Sequence, residues 1–227
     1  RVRSSAASDV YKRQYITLHF KGKGYEVIAA GHRKSDNGFF AEHGIEYHSI
    51  DISKAQDFKK LPQSGIDVVA DFAGALPASM KGYDANLYID SIMKGTYNVL
   101  EYMRETKIPR IIFPESLFDI SYMFGSKTPI PADSERKAPL SGDHAMYVIC
   151  KIAAVETILH YKEVYGITPF ILRLSRVYTY HPNPYTFTDG EKVMVSDRYL
   201  IKCAEKGEPL EIWGCLLYTS DAADDLT

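Results

Sequence analysis

Residues 66–72 read IDVVADF, and the run continues as AGA to Ala75. Its apolar character is continuous rather than alternating, which predicts a strand buried on both faces. Strands of that kind belong to parallel sheets covered by helices on either side. Working outward, the flanking segments alternate as such a sheet requires. Upstream, 25–30 (YEVIAA) and 46–50 (EYHSI) read as strands, with a short polar helix over 54–61. Ile16, Leu18 and Phe20 close an earlier helix, stopped by Gly22 or Gly24. Downstream, 83–106 predicts a long helix with Leu87, Ile92, Val99, Leu100 and Met103 inward. A strand follows at 110–113 (RIIF), then a helix over 143–165 that carries Ile149, Ile152, Val155 and Ile158, and a strand at 168–174 (TPFILRL). A helix over 197–206 and a short strand at 210–212 end the pattern. Residues 178–190 (YTYHPNPYTFTDG) read as one long loop. Strand and helix in alternation predict an α/β fold with a parallel sheet.

Composition narrows the function classes. The 227 residues are 45% hydrophobic and 25% charged, enough apolar content for a sizeable core and too much for disorder. No apolar run approaches the ~18 residues that cross a bilayer. A formal net charge of -2 argues against a general nucleic-acid binder. The cysteines, Cys150, Cys203 and Cys215, are too few for a disulfide framework, which points to a reducing compartment and a cytoplasmic protein. The histidines are scattered without ligand spacing, so no metal site is expected.

The two ends read differently. Ser4–Gln14 (SSAASDVYKRQ) resembles the translation of a transposase adapter used in sequencing libraries, and Cys215–Asp225 (CLLYTSDAADD) resembles its reverse complement. Residues 1–14 and 215–227 are therefore expected to be adapter-derived and are set aside from fold reasoning.

The chemistry centres on Tyr147 and Lys151, a Tyr-x-x-x-Lys pair within YVICK. An i, i+4 pair shares one helix face. A tyrosine hydroxyl has an unperturbed pKa near 10 and is a poor base at neutral pH. An ammonium one turn away, with a positively charged nicotinamide ring, favours the phenolate. The phenolate can take a proton from a hydroxyl as hydride leaves the same carbon. About one such pair is expected by chance in a chain of this composition, so the spacing alone is weak. Context strengthens it: the RIIF strand ends in Pro114-Glu115-Ser116, placing a hydroxyl at the carboxyl end of a parallel strand, where ligands of such sheets bind.

Six segments in order now carry a specific resemblance: IDVVADFAGA, KGTYNVLEYM, RIIFPES, YVICKIAAVE, FILRLSRVY and CAEKGEPLEIWG. Together they resemble the extended short-chain dehydrogenase/reductase family, the NAD(P)-dependent nucleotide-sugar epimerases and dehydratases. The resemblance implies a Rossmann-type doubly wound parallel sheet over residues 15–180. It further implies only the start of a C-terminal substrate domain over 181–214. It implies Tyr147 as acid/base, Lys151 as ribose ligand, and Ser116 as hydrogen-bond partner of the reacting oxygen, with Ser121 as the other candidate. Phe72, Ala73, Gly74, Asp51 and Ile52 would contact the dinucleotide, and Leu76, Leu117 and Arg176 the substrate. Asp51 has a local reading too, as an N-cap for the helix that follows.

The sequence departs from the family in several places. The family opens with a strand and a Gly-x-x-Gly-x-x-Gly loop that holds the pyrophosphate. Its third glycine would fall at Arg13, so the native first strand is expected to be lacking; Gly22 and Gly24 lie after the helix and do not replace it. The acidic ribose ligand that ends the second strand is Gly31, followed by His32 and Arg33. This leans the cofactor from NAD towards NADP, because Arg33 can pair with a 2′-phosphate. The helix asparagine before x-Gly-Thr is Ile92, and the substrate turn carries Arg176, Thr179 and Tyr180. The expectation is a fragment of an epimerase or dehydratase acting on a nucleotide sugar or another small hydroxylated substrate, from a homodimeric parent. Weakened cofactor binding is expected of the fragment. The alternatives are an NADPH-dependent carbonyl reductase and a dinucleotide-sensing regulator without turnover.

Overall fold

The computed structural model describes residues 7–35, 38–76, 83–142, 144–174, 184–188 and 191–210. They fall into two compact units. The first comprises Arg1–Tyr122 and Glu135–Thr179, and the second Met123–Ser134 and Tyr180–Thr227.

In the first unit, helix α1 (Ala7–Gly22) precedes strand β1 (Ile28–Gly31), short helix α2 (Phe39–Glu42) and strand β2 (Glu46–Ser49). A 3-10 turn over Ala55–Lys60 leads to β3 (Val69–Ala70). Helix α3 (Ala85–Tyr88) runs through a π-helical stretch, Ile89–Lys94, into α4 (Gly95–Thr106). Then come β4 (Arg110–Ser116), a second 3-10 segment (Leu117–Met123), α5 (Ala145–Tyr165) and β5 (Thr168–Leu174). All pairings are parallel, in two blocks: β1 with β2, and β3–β4–β5. A doubly wound order sets one further strand between two such blocks. Among the described residues no strand pairs with β1 or β3 on that side.

The core lies on the helical side of the β3–β4–β5 block. Ile92, Leu100 and Met103 meet Ile111 and Phe113 of β4 and Val155 and Ile158 of α5. These are the long and branched apolar side chains of each helix, and their burial drives the docking of helix on strand.

The expected element order holds, with corrections at particular places. The strand over 66–72 is much shorter than its apolar run suggests, and it is not buried on both faces. Only Val69 and Ala70 pair, with Ile111 and Ile112, and Val68 and Ala70 are exposed. Among the described residues β3 is bonded along one edge alone, without the second neighbour that shields a central strand. The helix over 83–106 contains the π stretch, which the apolar spacing does not reveal. Of the apolar residues that α5 carries, Val155 and Ile158 are buried and Ile149 is exposed.

In the second unit, β6 (Tyr185–Thr188) and β7 (Glu191–Met194) form an antiparallel pair, followed by helix α6 (Ser196–Lys206). This corrects the single loop read over 178–190. The Tyr-Thr-Phe-Thr run has strand propensity, and the Asp-Gly dipeptide after it is a hairpin signal. Leu210 is outside any strand, and residues 211 and 212 of the expected last strand lie outside the described residues.

Leu100→Ala should cost about 2–5 kcal/mol of stability, because its side chain is fully buried in this core. Leu140→Ala, at an exposed position, should change stability by less than about 0.5 kcal/mol. Urea denaturation of the two variants checks the pair.

Candidate functional site

Strand β4 and helix α5 place the central residues. Ser116 is the last residue of β4, and only 5% of it is exposed. Its Oγ accepts a hydrogen bond from the Phe118 backbone N–H at 3.2 Å, bending the chain out of the strand. Tyr147 and Lys151 lie in the first two turns of α5. Lys151 is as buried as Ser116. Its Nζ donates to the Pro114 carbonyl at 2.8 Å, lies 4.4 Å from the Phe113 ring centroid, and is 6.0 Å from that of Tyr147. The Tyr88 ring meets Tyr147 edge-on at 6.2 Å. The structure thus brings Lys151 against Tyr147 and against the strand that ends in Ser116. Ser121 lies within the 3-10 segment beyond, five residues past the strand end.

The loops after β1, β2 and β3 carry the remaining residues. Gly31 ends β1, and a Cβ there would stand 3.0 Å from Tyr47 Oη, which itself donates to the Arg33 carbonyl at 2.7 Å. The glycine at 31 therefore has a packing reason of its own. His32 and Arg33 are exposed, with His32 Nε2 3.9 Å from Asp51 Oδ2. Asp51 does not cap a helix: the 3-10 turn starts at Ala55 after Lys54. Instead its Oδ1 accepts from the Ser53 N–H at 3.1 Å and from Ser53 Oγ at 2.7 Å. Burial raises the Asp51 pKa, but the bonds from Ser53 and Lys54 outweigh it and the net shift is downward. Ile52 packs on Gly95, and its carbonyl accepts from Asn98 Nδ2 at 2.8 Å.

Phe72, Ala73, Gly74 and Leu76 follow β3. Gly74 has φ 144°, and a Cβ there would meet Ile92 Cγ1 at 3.0 Å, so no other residue fits without displacement. The Ala75 N–H donates to Ser91 Oγ at 2.9 Å, from the π stretch. Leu117 opens the 3-10 segment after Ser116 and is partly buried. Arg176, Thr179 and Tyr180 lie outside the described residues. Ile92 is fully buried in the apolar core.

Two buried polar groupings were missed in the sequence. Asp71, 4% exposed, accepts from Thr96 Oγ1 at 3.2 Å and from the Ala73 N–H at 3.2 Å. Burial pushes its carboxyl pKa up, against the pull of Lys151. The only sequence signal is an aspartate inside the apolar run VVADFAG. The second grouping adjoins Ser116. Glu115 Oε1 accepts from Arg136 Nε at 2.7 Å, and its Oε2 is 3.7 Å from Arg173 Nε. Arg173 Nε donates to Asp119 Oδ2 at 2.9 Å. Burial, joined by the like charge of Asp119, outweighs both arginines and raises the Glu115 carboxyl to about 6. No spacing rule connects positions 115, 119, 136 and 173.

This arrangement of strand ends and the α5 pair can be set beside known proteins. The sequence profile of the NAD dependent epimerase/dehydratase family matches residues 14–224. The chain belongs to this family. It is 27% identical over 161 residues to a protein of Methanocaldococcus jannaschii described as a putative UDP-glucose 4-epimerase, covering 70% of this chain and 50% of that one. The structure of UDP-glucuronic acid 4-epimerase from Bacillus cereus with UDP-glucuronic acid and NAD is similar at TM-score 0.64 and 22% identity. The likeness covers 88% of this chain and 62% of that one. UDP-glucose 4-epimerase of Thermus thermophilus with NAD gives TM-score 0.61 at 16% identity, over 86% and 60%. The chain thus spans about half the length of its curated relative. Such structural likeness establishes the Rossmann-type doubly wound fold.

The raised Glu115 carboxyl gives a pH signature. Folded Glu115 keeps a proton that an ordinary glutamate, near 4.5, has released. Its contribution to stability is therefore fully present below about pH 4.5 and is lost as pH rises through about 6. The wild-type protein should lose up to about 2 kcal/mol across that window from this group, and Glu115→Gln should lack that part of the decline. Urea unfolding at pH 4.5, 5.2 and 6.5 checks it; parallel curves for the two proteins would refute it.

Proposed function

We propose that this protein is an NAD(P)-dependent epimerase or dehydratase acting on a nucleotide sugar. One observation carries the reading: a buried Lys151 ammonium lies beside the Tyr147 ring and is bonded to the strand that ends in Ser116. Family membership supports it, as do the UDP-sugar 4-epimerases among the similar structures.

The residues present fit the two ends of a dinucleotide. Residues 31–33, Asp51 and Ile52 would hold the adenosine side, and Tyr147 and Lys151 the nicotinamide side. The Gly74 turn, where a Cβ has no room, lets backbone approach the ligand closely. The sequence contains no Gly-x-x-Gly-x-x-Gly run for the pyrophosphate. When bound, the dinucleotide supplies the hydride acceptor.

The protein's own groups handle the proton. The Lys151 ammonium favours the Tyr147 phenolate, which removes the proton from a sugar hydroxyl. Ser116 Oγ accepts from Phe118, which leaves its own hydrogen to donate to the reacting oxygen. Leu76, Leu117 and Arg176 would bound the sugar. A second reading, a dinucleotide sensor without turnover, draws on one observation. Ile92 fills with apolar packing the place where the family resemblance implies an asparagine.

Purified protein assayed on a UDP-sugar panel tests the reading. Tyr147→Phe should lower kcat by about 10²–10⁴-fold. Unchanged turnover would sink the assignment, and bound cofactor without turnover on any substrate would favour the sensor. The lean to NADP rests on exposed Arg33 and on the absence of a carboxylate at Gly31. Arg33→Ala should weaken NADP binding about tenfold and leave NAD binding unchanged, read by separate titrations. A clear wild-type preference for NAD would refute it.

A further inference from the structure

The four-charge grouping beside Ser116 is larger than a strand end needs. It draws on β4 (Glu115), the 3-10 segment after it (Asp119), the 135–142 loop (Arg136) and β5 (Arg173). Helix α5 adds Glu156, 3.7 Å from Arg136 Nη1, and Lys151, bonded to the carbonyl of Pro114. Glu115 and Asp119 are almost wholly buried, and among the described residues Asp119 Oδ1 has no hydrogen-bond partner. Leaving a buried carboxylate oxygen without a partner costs stability. Such a cost is borne where the charges hold something in place.

What they hold is the turn that carries Ser116. Glu115 precedes it in the chain and Asp119 follows by three residues. Between them the Phe118 N–H is bonded to Ser116 Oγ. Arg173 reaches both carboxylates, and Arg136 ties Glu115 to the loop leading into α5. Both flanks of Ser116 are thus fixed by one pair of guanidiniums.

We propose that Glu115 is a positioning residue for Ser116: its carboxylate, held by Arg136 and Arg173, fixes the turn that aims the Ser116 hydroxyl. The inference rests on the role given to Ser116 under the proposed function, and its first test does not use activity. Burial and Asp119 outweigh the two arginines and push the Glu115 carboxyl up to about 6. Protonation removes the charge that Arg136 grips. An opening that parts Glu115 from the guanidiniums while leaving it buried disfavours its carboxylate further. The turn should therefore hold more tightly above about pH 6 than below it, although full unfolding, which returns Glu115 to water, is eased over the same window.

Hydrogen exchange of the Phe118 amide, corrected for intrinsic rate, reads the Ser116 bond directly. In the wild type, protection should rise on the order of tenfold between pH 5 and pH 7.5. Glu115→Gln should stay at the low-protection level throughout, while Glu115→Asp should recover part of the rise. Arg136→Gln removes one cation facing Glu115, so its rise should move to higher pH; this variant decides the matter if Glu115→Gln does not fold. Ser116→Ala should abolish the rise although Glu115 still titrates. Protection that ignores pH in the wild type, or that rises equally in Glu115→Gln, overturns the proposal. On a UDP-sugar substrate, kcat should follow the same midpoint and fall by about 10- to 100-fold in Glu115→Gln, with KM nearly unchanged. A Phe118 response without any change in kcat would uphold the positioning and refute the part assigned to Ser116 in the reaction.

Discussion

The ammonium of Lys151 cannot be buried without partners, and much of the first unit is arranged around supplying them. A charge taken out of water costs several kcal/mol unless polar groups replace the lost solvent. Here the Pro114 carbonyl accepts from Nζ at 2.8 Å, and the Phe113 ring faces it at 4.4 Å. Helix α5 must therefore lie across β4 at one height, with Lys151 against the last residues of the strand. Tyr147 lies one turn earlier on the same helix, its ring centroid 6.0 Å from the Lys151 ammonium. Asp71, at the end of β3, adds a carboxyl whose ionised form Lys151 favours and burial opposes.

The same demand explains a proline inside a strand that has neighbours on both sides. Proline lacks the N–H that a central strand would donate. β3 pairs with β4 only as far as Ile112, so at Pro114 the strand faces β5 alone, with Leu172 opposite. The carbonyl of Pro114 is then available to Lys151. The short β3, which departs from its long apolar run, is what leaves this end of β4 open to side chains. The loop after β3 is held by Ser91 of the π stretch, through the Ala75 N–H. The π stretch also presents Ile92 to Gly74, where no Cβ fits. π segments often occur at functional sites, where one residue must be re-aimed.

Much of the fold was legible because it is written in local patterns. RIIF and TPFILRL are short runs dominated by apolar residues, and β4 and β5 form there, β5 over the expected residues. The Tyr147–Lys151 spacing is readable because a helix places i and i+4 on one face. The β6–β7 hairpin carried a sequence signal too, an Asp-Gly dipeptide between two runs, but the Pro- and Tyr-rich surroundings favoured a loop reading. The buried aspartate at position 71 was not legible. An acidic residue in an apolar run can as readily end a strand at the surface as bond to Thr96 inside.

The sequence by itself determined the alternation of strand and helix, the parallel sheet, the Tyr147–Lys151 pair and the membership that its ordered motifs suggested. These depend on residues close together in the chain, where propensity and periodicity act. Only the tertiary structure decided that β3 is short, that Gly31 makes room for Tyr47, and that Glu115, Asp119, Arg136 and Arg173 share one buried grouping. Those outcomes depend on which distant segments meet and on how far water is excluded where they do. Such proximity sets the desolvation and charge pairing of each group, and no spacing along the chain encodes it.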